Sequence, residues 1–451
     1  MAIRDVLIFA AVFGSLPFIL WRPWFGVLVW SWLAYMNPHR LGWGPAFDFR
    51  FSVIVALVLV VAILISRERK RMLWTPVTYV WLAFFIWTFI TTQFAYDEIG
   101  AADEWSRWWK VNLASVLTLL VMYERRRIHL LVSVIAGSLA FYGVKGGFFT
   151  VISGGGYRVY GPPGSFIEDN NAMGLALILV VPLLRYLQLE AKDRWVRWSL
   201  AGGMVLTVIA ILGTQSRGAL VGLVAMGLFL VWKSQGRWKM LFAALLLMPV
   251  LWVFMPSSWH ARMSTISSYE QDSSALGRIN AWWFAFNIAK ERPLIGGGFA
   301  TFTEELFQRY APNPEDVHDA HSIYFEVLGE QGFVGLVLFL LLGLFTFQSA
   351  QWVIKNARGP PELRWAGNLV AMVQVSLIGY AVSGAFLGLA YFDLVYHLIV
   401  IVVLTRSCVE QALRAPAPTP TPMPAPTPAT HAVGRRSVAR AGRLGSRGTT
   451  S

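Results

Sequence analysis

Charged residues are scarce in this sequence. Of 451 residues only 14% are Asp, Glu, Lys or Arg, against about 25% in an average soluble domain. Hydrophobic residues make up 56% and the mean hydropathy is +0.54. A water-soluble fold of this size could not hide that much apolar surface. Cysteine is nearly missing: Cys408 stands alone, which excludes an intramolecular disulfide and leaves any exported loop to hold its shape without one. There is no Gly-x-x-x-x-Gly-Lys-Ser/Thr phosphate loop and no Asp-x-Asp pair of the kind that holds a divalent cation against a nucleotide sugar. Neither ATP nor a metal is indicated, and no cofactor is expected. A cleavable leader is not expected either: residues 1–20 are apolar, but Arg4 is offset by Asp5 and no small-x-small site follows, so they read as a retained helix.

What is present is a succession of apolar runs over the first 406 positions. About 20 residues are needed to cross ~30 Å of hydrocarbon as a helix, so the expected fold is all-α, a polytopic transmembrane bundle. Segments are expected near 3–20, 24–36, 51–66, 74–93, 108–122, 128–150, 172–187, 196–213, 218–232, 238–255, 322–350, 365–388 and 391–406. The connectors around Arg67 to Arg71, Arg125 to Arg127, Lys192 to Arg197, Lys233 to Lys239 and Lys355 to Arg364 are basic, as cytoplasmic loops are. The alternate connectors, Asp97 to Arg107, Ser153 to Asn171, Thr214 to Arg217 and Pro256 to Ala320, are acidic or mixed and fall on the far side. The first two segments are short and broken at Trp21-Arg22-Pro23. Read as one crossing, they give about twelve crossings with both ends cytoplasmic. The domains expected are transmembrane helices over 1–255, a periplasmic loop with short helices over 256–320, further transmembrane helices over 321–406, and a cytoplasmic tail over 407–451.

Trp is abundant, with 21 residues gathered at expected helix ends such as Trp21, Trp24, Trp105, Trp108, Trp195 and Trp232. An interfacial aromatic belt accounts for them, although outward-facing ones could stack on sugar rings. From Ala415 to Thr430 the chain is a Pro/Ala/Thr run unable to bury a core, followed by Arg435, Arg436, Arg440, Arg443 and Arg447, which supply 5 of the net charge of +13. A basic tail beside anionic headgroups explains this charge. The pI near 10.0 therefore does not point to nucleic acid; membrane lipids are the expected partner of that charge.

The connection over 256–320 is the one long outer loop, and a loop above about 15 residues is usually functional or disordered. Here it reads as ordered. Ser274 to Lys290 carries apolar residues at helical spacing, and Phe302 to Tyr310 makes a second short amphipathic helix. Between them, Ile295-Gly296-Gly297-Gly298-Phe299 reads as a turn with close backbone approach. Arg278 falls at the start of the first helix, where a cation opposes the helix dipole but could join free N–H groups in holding an anion. It could equally be solvated, or paired with Glu270 or Asp272. Arg217, in Thr214-Gln215-Ser216-Arg217-Gly218, lies at the outer end of a helix, where an Arg costs less than the ~2.5–3.5 kcal/mol of the bilayer centre and could simply snorkel. His318-Asp319-Ala320-His321 supplies too few ligands for a zinc site.

One junction stands out. His321-Ser322 is followed nine residues later by Gly332 and then Gly335, which places a titratable side chain where a polar loop enters a long apolar helix. Such sites are costly unless function compensates them.

These pieces together resemble the O-antigen ligase family, within the wider group of O-antigen ligases, polymerases and protein O-glycosylation relatives. They are Arg158-Val159-Tyr160-Gly161 with Asp169-Asn170-Asn171, Ser216-Arg217-Gly218, Gly277-Arg278 with Trp282, Pro293 to Gly298, and His321-Ser322 through Gly332 and Gly335. The resemblance is dense over about 150–340; beyond it only hydropathy agrees. It implies a metal-independent glycosyltransferase of the bacterial inner membrane, working at the periplasmic face. The donor would be a glycan on undecaprenyl diphosphate and, for a ligase, the acceptor a sugar hydroxyl of lipid A-core. On that footing His321 is the expected general base, because an imidazole near pKa ~6.5 can take a hydroxyl proton around neutrality. Arg217 and Arg278 are expected on the diphosphate, where guanidinium offers bidentate hydrogen bonds. A single displacement would invert the anomeric centre. Arg158, Asn170 and Asn171 could contact donor or acceptor, or the Asn residues could cap the next helix; His318 could assist His321. The pattern around His321 resembles the ligase form, with polymerase or protein O-glycan ligase as alternatives. A flippase or transporter is less well supported, since no two-fold hydropathy repeat is found.

Overall fold

The computed structural model describes residues 3–233, 236–264 and 273–414. The Pro/Arg-rich tail after Arg414, with the expectation made for it, lies outside the described residues, as do Glu270 and Asp272. Among the described residues there is no strand and there are sixteen α-helices: α1 Ile3–Trp21, α2 Pro23–Met36, α3 Phe51–Ile65, α4 Pro76–Thr92, α5 Glu98–Val121, α6 Arg125–Ile152, α7 Asn170–Glu190, α8 Arg194–Gly213, α9 Arg217–Lys233, α10 Arg237–Phe254, α11 Ser257–Ser264, α12 Ser273–Glu291, α13 Glu304–Tyr310, α14 Ile323–Asn356, α15 Arg364–Ser383 and α16 Asp393–Arg414. By length and composition six candidate membrane spans stand out: α1, α6, α7, α8, α14, and α15 with the short turns flanking it.

Hydrophobicity decides which helices sit in the middle. Every residue of α7 from Ala172 to Leu184 is buried, and so is every residue of α16 from Leu394 to Thr405; helices apolar all round bury all round. Outer helices keep apolar side chains on the surface, as Leu7 and Phe18 do on α1 and Leu57 and Leu64 on α3. Helix starts follow local capping. Asp169 accepts from the N–H groups of Asn171 and Ala172, Asp97 from Gly100, and Thr75 forms a capping box with Thr78 ahead of Pro76. The Asp97 cap starts α5 ten residues before the expected segment at 108, which turns most of a presumed connector into helix.

The first two helices depart from expectation. Arg22, between them, pairs with Glu68 at 3.4 Å, whereas Asp5 at the start of α1 is buried against Gly42 and Gly44, beyond the far end of α2. α1 and α2 thus form an antiparallel pair. Trp21-Arg22-Pro23 is the turn between the two helices, where Pro at the first position of α2 has no N–H to lose. The Arg22 end also holds Arg127, which pairs with Glu68 at 2.9 Å and Glu124 at 3.1 Å, and Arg125, 3.4 Å from Glu190. The basic connectors therefore gather at one end of the bundle.

At the opposite end the loops interlock. Val159 N–H donates to Gly213 O at 3.0 Å and Tyr96 N–H to Gly297 O at 2.9 Å; Trp259 Nε1 donates to Leu212 O at 3.2 Å. Helices α12 and α13 share a small core of their own around Phe284 and Phe307, whose rings stack 4.3 Å apart.

Helix α14 is broken at Gly332, where φ is +67° and ψ −172°. The segment 293–298 wedges into the break. Gly297 N–H donates to Gly329 O at 2.8 Å, Gly298 N–H to Glu330 O at 2.9 Å, and Phe333 N–H to Pro293 O at 2.9 Å. Trp87 Nε1 covers Gln331 O at 3.0 Å. Backbone groups freed inside an apolar bundle are thereby satisfied. Only glycine fits at 332, since a Cβ would collide with the Leu294 carbonyl and the positive φ disfavours L side chains. Gly335 leaves room for the Gln331 side chain.

Candidate functional site

The site is built where 311–322, the first turns of α12 and α14, and the 384–392 turn meet. Asn280 on α12 ties down the approach, donating to Asn313 O at 2.8 Å and Asp316 O at 3.0 Å. Two residues on, Trp282 Nε1 donates to Ala320 O at 2.8 Å, and its ring stacks on Phe325 at 5.0 Å. Trp282 thus fixes the peptide immediately before His321. His321 itself sits at φ +41°, an uncommon conformation for a non-glycine residue and one that clusters at functional sites. Ser322 behind it is the buried N-cap position of α14.

His321 is half-buried. Burial is the largest influence on its imidazole and lowers its pKa from the ordinary histidine value; the Arg278 guanidinium lowers it further, while Asp319 and Asp169 pull the other way. The ring is therefore held neutral near neutrality, as a proton acceptor requires.

The helix around Arg278 begins at Ser273, so Arg278 lies in the second turn and not at the helix start. Arg217 opens α9 next to Gly218, where a Cβ would lie 3.2 Å from Phe386 Cβ; a Cβ on Gly384 would run into Ile323, and one on Gly388 would lie 3.7 Å from the His321 nitrogen. The 384–388 turn thus touches both the start of α9 and the start of α14, which places Arg217 in the same neighbourhood as His321 through that turn.

The remaining expected residues separate. Asn170 is buried and donates to Thr214 O at 2.8 Å, joining the start of α7 to the end of α8. Asn171, beside it, lines a cavity of about 560 Å³ together with His321. His318 lies 2.9 Å from Asp316, with its ring against Gly277. Arg158 is exposed in the loop before α7 and makes no ion pair or hydrogen bond among the described residues.

The cavity exposes a group of residues the sequence reading passed over. Glu326 accepts from the Ala390 N–H at 3.0 Å and Glu330 from the Tyr391 hydroxyl at 2.8 Å. Gln331 donates to Tyr391 at 3.2 Å and accepts from Thr91. Glu326, Glu330 and Gln331 lie within the segment read as uniformly apolar from 322. Two carboxylates one turn apart, just after His321-Ser322, were the available signal.

An all-helical bundle with membrane-length helices and a polar pocket at one end is a multi-pass membrane protein. Residues 202–340, which contain Arg217, Arg278, His321 and Gly332, match the family described as O-antigen ligase, which supports assigning the chain to that family. Its members serve in glycan transfer. Residues 3–193 match a family of unknown function. No curated protein matches the chain.

Proposed function

We propose that this protein is an O-antigen ligase that moves a glycan from undecaprenyl diphosphate to a sugar hydroxyl of lipid A-core at the periplasmic face of the bacterial inner membrane. The observation that carries this reading is His321, half-buried and held at φ +41° on the wall of a cavity, where the charge of Arg278 helps to lower its pKa. The acceptor hydroxyl gives its proton to the neutral imidazole as its oxygen attacks the anomeric carbon. The bond from that carbon to the phosphate oxygen breaks, and undecaprenyl diphosphate leaves with the bonding electrons. Its growing negative charge is taken by Arg278 and Arg217. One displacement inverts the anomeric centre, and the donor's own sugar–phosphate bond supplies the driving force.

The basic end of the bundle faces the cytoplasm in this reading, and the long-loop end, with the site, faces the periplasm. Helix ends near Arg217 offer the polyprenyl chain a route from the bilayer. The test is transfer by the purified full chain, with a lipid-linked glycan as donor and lipid A-core as acceptor. Product on lipid A-core is expected. Product only on a second lipid-linked glycan would make the protein a polymerase, and no donor turnover with any acceptor would overturn the transferase reading.

A further inference from the structure

We propose that the cavity beside His321 is the acceptor subsite and that its charge selects acceptors whose reacting sugar is neutral or carries an amine over phosphorylated or uronic ones. This rests on the transferase reading of the site and adds the chemical class of the acceptor.

At about 560 Å³ the cavity falls in the ~300–1,000 Å³ range of small-ligand sites. Six carboxyl groups line it and no Lys or Arg does; Glu326 is half-buried and Glu330 buried, and they are tied to the Ala390 N–H and the Tyr391 hydroxyl, so its negative charge comes from Asp97, Glu104, Asp169 and Asp319. One of the six, Glu104, shares its charge with Arg107 at 2.7 Å. Two others, Asp97 and Asp169, also cap helices. Arg278 and Arg217 are absent from the lining, although Arg278 acts on His321. His321 therefore stands on a boundary, with a cation as neighbour and an acidic cavity in front. A diphosphate suits the cationic side and is repelled from the other.

The acidic side suits a sugar. Ionised carboxylates accept hydrogen bonds and cannot donate them, so they match the hydroxyls of a neutral glycan, and an ammonium group better still. Phe166, Phe299 and Tyr391 on the same wall offer apolar faces for a sugar ring. A phosphate or uronate entering here would meet like charge in a partly desolvated space, where such repulsion is strong. Six of the lining residues, Asp97, Glu104, Phe166, Asp169, Asn171 and Ala172, come from the 3–193 segment, outside the O-antigen ligase match. Acceptor choice is thus written largely by a different part of the chain from the one carrying His321. Applied to lipid A-core, the cavity admits an uncharged outer sugar and turns away a phosphorylated inner one.

The experiment uses the purified full chain, a lipid-linked glycan donor and three soluble acceptors: octyl β-lactoside, its monophosphate ester and its amino-sugar counterpart. The neutral and amino glycosides are expected to accept glycan at least about tenfold faster than the phosphate ester, which corresponds to about 1.4 kcal/mol. In Glu104→Gln/Asp319→Asn the ratio should shrink several-fold. Because the ratio is taken within each variant, a general effect on His321 cancels. Equal rates, or faster transfer to the phosphate ester, would overturn the proposal. If no acceptor reacts, the transferase reading falls instead, and saturation-transfer NMR of the same glycosides with the wild-type chain decides the charge preference: weaker binding of the phosphate ester sustains it, and equal binding removes it.

Discussion

The Gly298 N–H donates to the Glu330 carbonyl over 2.9 Å, a bond open to it only because α14 breaks two residues later at Gly332. The outer loop and the helix below His321 are thus one structure, locked through backbone. Gly332→Ala should unfold this joint. The positive φ alone costs a non-glycine residue about 1–3 kcal/mol, and the collision with Leu294 O adds to it. A lower melting temperature and a reduced yield of monodisperse protein in detergent are expected; a variant with unchanged melting would show that the wedge is dispensable.

The acid side of the pH–rate profile should report His321. Its base form is required, so kcat/KM is expected to fall as pH drops through the His321 pKa, with the inflection below the ordinary ~6.5 of histidine. Arg278→Gln removes a cation that disfavours imidazolium, so the inflection should move to higher pH while the rate falls. Asp319→Asn removes an opposing anion and should move it to lower pH. Shifts of the same sign in both variants would refute this electrostatic arrangement.

Trp282→Phe keeps an aromatic ring for Phe325 but loses the bond to Ala320 O. A net loss of about 1 kcal/mol in holding that peptide should lower kcat severalfold with little change in melting temperature. Equal losses in rate and stability would mark Trp282 as part of the packing alone.

Asn170 and Asn171 are adjacent yet should behave differently. Asn170→Ala strands a buried carbonyl at Thr214, so stability should drop by about 1–3 kcal/mol while transfer per folded molecule changes little. Asn171→Ala should leave melting unchanged and alter KM for the acceptor, since Asn171 lines the cavity.

Much of the bundle was legible because apolar runs of membrane length leave few alternatives: α3, α4, α8, α9 and α10 begin and end within a few residues of their expected positions. Helices α12 and α13 were visible from helical spacing in the long loop. The antiparallel α1–α2 pair was not, since its evidence is an ion pair between Arg22 and Glu68, 46 residues apart. The early start of α5 was hidden because its polar first turns are held by an Asp cap and carry no apolar signal. In the site, His321 and Arg278 were singled out by motif, and the influence of Arg278 on the His321 ring depends on the fold. The bond from Asn170 to Thr214 O joins residues 44 apart and had no local sequence signal. The carboxylates escaped notice because Glu326 and Glu330 were absorbed into an apolar segment, while Asp97, Glu104 and Asp169 come from distant stretches that only folding brings together.

The base role of His321 can be measured directly as single-turnover glycan transfer by His321→Ala, beside wild type, using purified, correctly folded full chain and saturating lipid-linked donor. Positioned general-base catalysis contributes about 10²–10⁴-fold, so the rate should fall by at least two orders of magnitude with donor binding retained. Transfer at the wild-type rate by that variant would contradict the assignment of His321 as the group that activates the acceptor.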